Sequence, residues 1–214
     1  MISRKFLAGA VMIVAALSGC ATPSVHHVGT SGLYFDVPRA WTRVDENLLK
    51  KAETGWNADD AGSAIVQSLT WQTAWSPNAE VKPADVFSNR PSSTPILYAS
   101  SRTLFDAEKS GIGTDILTAL QDVVMPVSTA QSGDGLNIDV NQTVTLNAHQ
   151  GIEQKLRWTT DGVEQQIRAV VMLSKDLSTV YTFTIRCTTE CFTNNAQDVG
   201  TILRSITLKD PNAS

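Results

Sequence analysis

Between residues 136 and 187 the chain alternates apolar and polar side chains with a period of two. Leu136, Ile138, Val140, Val144 and Leu146 interleave with Asn137, Asp139, Asn141, Thr143, Thr145 and Asn147, which predicts a strand with one buried and one polar face. After the turn "NAHQG", Ile152, Leu156 and Trp158 alternate with Glu153, Lys155 and Arg157. Asp161-Gly162 then supplies a two-residue hairpin signal ahead of the run Val163 to Leu173. A turn confined to residues 161 and 162 sets Leu156 opposite Ile167 and Ile152 opposite Val171, so apolar meets apolar. A further turn at "SKDLS" leads to "TVYTFTIRC", and the four strands form an antiparallel meander.

Other segments read by the same rules. Phe192, Ala196, Val199 and Leu203 recur at helical spacing in "FTNNAQDVGTILRSI" and predict an amphipathic helix that covers the apolar sheet face. Thr114 to Val124 and Asp45 to Glu53 are also predicted helices, and strands are predicted at Leu33 to Val37, Ser63 to Trp75 and Ile96 to Ser100. The fold class is α+β, a curved antiparallel β-sheet packed with helices.

The first residues have a different character. Arg4 and Lys5 precede an apolar run from Phe6 to Leu17, and Leu17-Ser18-Gly19-Cys20 follows. Twelve apolar residues rise only about 18 Å as a helix, short of the roughly 30 Å hydrocarbon core, so the run is a signal segment and not a span. Small residues before a cysteine resemble the bacterial lipobox, which implies cleavage before Cys20 and a diacylglyceryl group on its thiol; the rival is a secretory signal with a chance cysteine. Two or three acyl chains hold a protein firmly, since each buried methylene contributes about 0.8 kcal/mol. Residues 1–19 are then a lipoprotein signal peptide, 20–32 a flexible tether, 33–209 a single domain and 210–214 a short tail. The implied location is the bacterial cell envelope, lipid-anchored on the extracytoplasmic side. Ala21, where Asp is absent, implies the outer membrane if the host has two.

Charge narrows the partners. The chain carries 17 Lys plus Arg and 21 Asp plus Glu. Removing Arg4 and Lys5 with the leader leaves 15 against 21, a net charge of about −6 that offers nucleic acid nothing. With Cys20 acylated, Cys187 and Cys191 remain as a pair in an oxidising compartment, and a structural disulfide is expected. A redox pair or half a metal site are the rival readings of "RCTTECF". Closing so short a loop stabilises by only about 2 kcal/mol, so its use is to fix chain direction.

Candidate chemistry is sparse. No Gly-x-Ser-x-Gly elbow or Ser-x-x-Lys pair occurs. His26 and His27 are read as tether residues and His149 as a solvated turn residue. Asp134 to Asn141 hints at a calcium loop but lacks the closing Glu, and Asp59-Asp60 reads as a loop. Asn141-Gln142-Thr143 fits a glycosylation sequon that a bacterium would leave unused. No catalytic residue, metal ligand or cofactor is therefore expected. Of Trp41, Trp56, Trp71, Trp75 and Trp158, the pair Trp71 and Trp75 share a strand face with Ile65 and Leu69 and suit core packing, with an apolar ligand pocket that has Trp56 at its mouth as the alternative.

The hairpin register exposes one surface feature. Lys155 stands across from Arg168 on the face away from the core stripe, and a five-residue turn into the fourth strand places Arg186 beside Gln166 and Arg157. Lys155, Arg157, Arg168 and Arg186 then form a candidate docking face for an anionic group, flanked by Asp139 and Asn141. Like charges placed opposite each other destabilise a sheet by roughly 0.2 to 1 kcal/mol. Glu153 and Glu164 are the carboxylates that would neutralise it.

The stretch "LYFDVPRAWTRVD", with Val37-Pro38 and then Trp41, followed far downstream by the meander and by Leu203-Arg204-Ser205-Ile206, resembles the PsbP-like fold. That family includes actinobacterial envelope lipoproteins of the LpqN and LpqT kind. Ala40 stands where the family usually has Gly. The resemblance implies an α/β/α sandwich and a non-enzymatic docking or stabilising module. The partner would be an envelope protein or polymer; the alternative is a carrier for a lipid or other hydrophobic envelope ligand.

Overall fold

The structure, a computed structural model, describes residues 25–30, 32–54, 61–112 and 136–209. The predicted helix at 114–124, Cys20, Trp56, Asp59 and Asp60 lie outside them. Two antiparallel sheets face each other. The smaller has the order β1-β2-β10, from β1 (Val25–Thr30), β2 (Leu33–Pro38) and β10 (Thr207–Leu208). The larger has seven strands, β3 (Thr42–Arg43), β4 (Thr70–Ser76), β5 (Ile96–Thr103), β6 (Asn137–Leu146), β7 (His149–Thr160), β8 (Val163–Leu173) and β9 (Thr179–Thr188). They run β3-β4-β5-β9-β8-β7-β6, with the meander intact from β6 to β9. The helices are α1 (Glu46–Thr54), α2 (Ala61–Ser68), α3 (Pro83–Val86), α4 (Asp106–Gly111), α5 (Thr189–Asn194) and α6 (Ala196–Ser205).

The main core lies between the sheets. Leu33, Phe35 and Val37 from β2 meet Leu97, Ala99, Phe183 and Ile185, with Val199, Ile202 and Ile206 closing the side. On the other face of the large sheet, Val44, Leu49 and Val86 pack on Ala74 and Ile96, while Leu104 and Ile112 cover Ile152, Val171 and Val180. The motifs that mark the sequence resemblance sit in this framework. Trp41 N–H donates to Pro38 O at 2.9 Å and closes the turn that buries the indole, and Asp36 N–H donates to Ser205 Oγ at 2.8 Å, joining β2 to the end of α6.

The hairpin register is as predicted. Leu156 faces Ile167 and Ile152 faces Val171, across a turn in which Asp161 and Gly162 have φ of 52° and 74°. Positive φ at both central residues matches the twist of the strands and is the conformation for which Asp-Gly is suited. Val37-Pro38, the helix at 46–54 and the C-terminal helix also form, the last in two pieces broken at Asn195. Cys187 and Cys191 are joined in a disulfide with Cα atoms 5.9 Å apart, where β9 gives way to α5.

Four expectations give way. The tether expected over residues 20–32 contributes β1, which pairs with β2 from Val25 opposite Pro38 to Thr30 opposite Leu33. Hydrogen bonding to a neighbouring strand outweighs the loop-like composition there. The strand expected from Ser63 to Trp75 starts only at Thr70; α2 occupies 61–68, so Ile65 and Leu69 share no strand face with the tryptophans. His149 is buried as the first residue of β7, because the turn takes only Asn147 and Ala148, both at positive φ. The alternation from 136 to 147 is interrupted, since Ile138 faces Leu156 but Val140 faces Lys155, with Asp139 in a bulge between them. One extra residue reverses the faces beyond it, so Val140, Val144 and Leu146 share the face of Lys155 while Ile138, before the bulge on the face of Leu156, is 58% exposed.

Gly151 lies on β7 with no room for a side chain. A Cβ there would overlap the Val171 carbonyl oxygen and Met172 Sδ. Gly151→Ala is expected to destabilise the domain by about 1–3 kcal/mol, the range for overpacking a core, read as a fall in urea midpoint at unchanged slope.

Candidate functional site: a mixed-charge sheet face

The pairings Lys155 with Arg168 and Arg157 with Gln166 bring three of the four expected cations, Lys155, Arg157 and Arg168, onto one face of β7 and β8. Arg186 is not among them. It pairs with Ile167 rather than Gln166 and so points through the opposite face. The cause is the length of the turn. Ser174 N–H donates to Thr179 O at 2.9 Å, which makes the connection a four-residue loop instead of five, and a one-residue change moves every side chain of β9 to the other face. Leu177 takes positive φ, and Asp176 accepts from Ser174 Oγ, Ser178 Oγ and Ser178 N–H to hold the loop.

Arg186 is instead a structural residue, 6% exposed. Its guanidinium donates to the carbonyls of Asp85 and of Arg90, the latter at 3.1 Å, and so fastens α3 and the segment after it to the sheet. Burial pushes its pKa down to about 10, which still leaves it charged at neutral pH.

The remaining face is not basic. Asp139, projecting from the bulge, accepts from Arg157 at 2.7 and 2.8 Å and lies 3.1 Å from Lys155 Nζ. Arg157 also reaches Glu164 at 3.1 Å, and Glu164 accepts from Thr189 Oγ1 at 2.6 Å. Arg168 donates to Glu153 at 2.8 Å, and Gln142 donates to the same carboxylate at 3.0 Å. Three cations therefore meet three carboxylates, and the repulsion between facing Lys155 and Arg168 is offset from both sides. The six side chains retain between 22% and 41% exposure. Hydrogen bonds from Arg157, and then from Lys155, hold the Asp139 carboxyl down to about 2 against partial desolvation. Asn141 belongs to the other face, where it accepts from Gln154 at 3.1 Å.

The remaining candidates resolve into packing. Adjacent positions of a strand face opposite ways, so His26 lies 5.1 Å from the Trp75 ring while His27 Nδ1 meets Asp36 Oδ1 at 2.6 Å. Among the described residues no group of three His, Cys, Asp or Glu could hold a metal ion. Trp41, Trp75 and Trp158 are buried in the core clusters and Trp71 packs against one of them. A described cleft of about 270 Å³ between Thr42–Leu48 and Asn78–Pro83 contains no tryptophan.

A buried polar cluster beneath α1 was not foreseen. Tyr98 OH donates to Gln72 Oε1 at 3.0 Å, and Glu53 also bonds Gln72. Burial raises the pKa of both Glu53 and Tyr98. Its sequence signal was Gln72, a polar residue between two tryptophan-bearing positions, which the period of two assigns to the face opposite Trp71.

Two outcomes follow from these contacts. Arg186→Ala strands the Arg90 carbonyl, while the Asp85 carbonyl keeps the Ser88 N–H, and is expected to lower stability by about 1–3 kcal/mol in urea, with Arg157→Ala shifting the midpoint far less. Asp139 and Asp176 both have folded pKa values of about 2 against an ordinary 3.8. A depressed carboxylate contributes stability that is complete above its unfolded pKa and lost as pH falls through its folded one. Asp139→Asn is therefore expected to lower the urea midpoint at pH 7, with the gap to the parent chain closing as pH drops from about 4 to about 2.

No family model matches the chain, and no curated protein matches it in sequence. Solved structures do. The chain is similar to cyanobacterial PsbP (CyanoP) of Synechocystis sp. PCC 6803, with a TM-score of 0.54 at 14% identity over 92% of this chain and 99% of that one. Weaker likenesses are the Saccharomyces cerevisiae Ran-binding protein Mog1p (0.47, 11% identity, 87% and 96% covered) and LpqN, involved in cell envelope biogenesis of Mycobacterium tuberculosis (0.46, 12%, 86% and 90%). The two facing antiparallel sheets with flanking helices, and their match along nearly the whole of CyanoP, establish that the chain has a PsbP-like fold.

Proposed function

We propose that the chain is a lipid-anchored, non-enzymatic docking module of the bacterial cell envelope. In this reading residues 1–19 are removed, Cys20 carries the lipid, and the mixed-charge face of β6 to β8 binds a protein partner. The observation that carries it is the fixed array of Lys155, Arg157 and Arg168 against Asp139, Glu153 and Glu164 at partial exposure. Mutual pairing holds each side chain in place before a partner arrives, so little ordering entropy remains to be lost, and an alternating charge pattern selects partner and register more than it adds raw affinity. The anionic-ligand form of the docking reading loses ground, because the face carries as many carboxylates as cations. Fold likeness adds only consistency, since one fold hosts many functions. Among the described residues no helix is long and apolar enough to cross a membrane, and a lipid on Cys20 would supply the attachment.

The test swaps a pair. Glu153→Arg combined with Arg168→Glu keeps an ion pair within the sheet, sets the new carboxylate across from Lys155, and inverts the pattern a partner meets. A cross-linked species of discrete mass, formed by the parent lipoprotein on its host's membrane, is expected to disappear in the swap variant while its melting temperature stays within a few degrees. Survival of that species would overturn the docking face. Mass spectrometry of the Cys20 peptide checks the lipid separately, and Cys20→Ser is expected to leave the chain in the soluble fraction.

A further inference from the structure

We infer that the folded domain lies directly against the bilayer that holds it, with the end of β1 at Val25 and the Pro38–Trp41 turn facing the phospholipid headgroups. This rests on the reading of Cys20 as lipidated. The argument is one of reach. Five residue steps separate Cys20 from Val25, and a chain extends at most about 3.3–3.6 Å per residue, so the start of β1 stays within about 18 Å of the acylated residue. The twelve residues of β7 alone run to about 40 Å at a strand's rise. The tether is therefore shorter than the domain it holds.

No slack is gained by peeling β1 away, because the strand is fastened along its length. Six residue pairs join it to β2. The His26 ring packs against Trp75, its Nε2 lies 3.2 Å from Arg39 O, and His27 meets Asp36. β2 is tied in turn to Ser205 at the end of α6. Pairing puts Pro38 beside Val25 at the anchored end, and the segment from Pro38 to Val44 carries Arg39 and Arg43 but no carboxylate. Arg39 is exposed, and Arg43 bonds Glu46 at 2.8 Å. At this end the exposed Arg39 is the cation offered to headgroup phosphates, Arg43 being held by Glu46. The other end of β1 and β2 is Gly32, where an added Cβ would press on Lys209 O and Tyr181 OH, and Tyr181 adjoins the Ser174–Thr179 loop. That loop points away from the bilayer.

The test uses the intact lipidated chain in vesicles of phosphatidylethanolamine and phosphatidylglycerol containing a lipid with a quencher on its headgroup. A fluorophore is placed on Ala40→Cys or, as a second site at the same end, Thr42→Cys, and compared with Lys175→Cys in the distal loop; all three positions are exposed. Quenching several-fold stronger at 40 and 42 than at 175, abolished by a long Gly/Ser spacer inserted after Ala21, is the expected result. Equal quenching on chains that remain bound to the vesicles overturns the apposition while leaving the anchor intact. Recovery of the chain off the vesicles with an unmodified Cys20 thiol overturns the anchor and the apposition with it.

Discussion

Pairing of β7 with β8 across the Asp161–Gly162 turn is the constraint from which the large sheet takes its form. A strand has only two faces, so the residues in a turn decide, for every side chain beyond it, between core and surface. The two-residue turn puts Ile152, Leu156 and Trp158 opposite Val171, Ile167 and Gln165 on one face, and Lys155 and Arg157 opposite Arg168 and Gln166 on the other. β9 inherits its assignment from the loop that follows, and β5 and β4 inherit theirs from β9. The core between the sheets, with Leu97, Phe183 and Ile185 in it, depends on that chain of parities.

The same constraint gives Arg186 and the charged face different jobs. Four-residue closure at Ser174–Thr179 turns Arg186 inward, where a lone guanidinium is tolerated because the Asp85 and Arg90 carbonyls receive it. Buried without them it would carry the full desolvation penalty of a charge. Lys155, Arg157 and Arg168 remain outside, and the bulge at Asp139 supplies the carboxylate that two of them share. A sheet that places like charges opposite each other is stable here because each cation has an acid within 3.1 Å.

β1 adds a strand to this architecture where the sequence reads as a linker. Its composition, with adjacent histidines, Pro23 before it and Gly29 and Gly32 toward its end, reads as linker. Yet pairing with β2 and the contacts of His26 and His27 make it part of the small sheet. The folded part of the chain therefore begins by Val25, ahead of the stretch that composition marks as domain.

Much was legible locally. Period-two patterning from 136 to 187, the Asp-Gly turn and the helical spacing after Cys191 determined the meander, the β7–β8 register and the covering helix, because each signal lies within one element or one tight turn. Pro38 to Trp41 and the segment ending at Ile206 were recognisable for the same reason. Only the tertiary structure decided which residues joined across distance. Loop length before β9 rests on a hydrogen bond between Ser174 and Thr179, the bulge at Asp139 on its salt links to a neighbouring strand, and β1 on a partner strand that composition does not announce. Parity errors of one residue leave local propensity unchanged while exchanging surface for core, so the neutral face and the buried Arg186 could be settled only by packing.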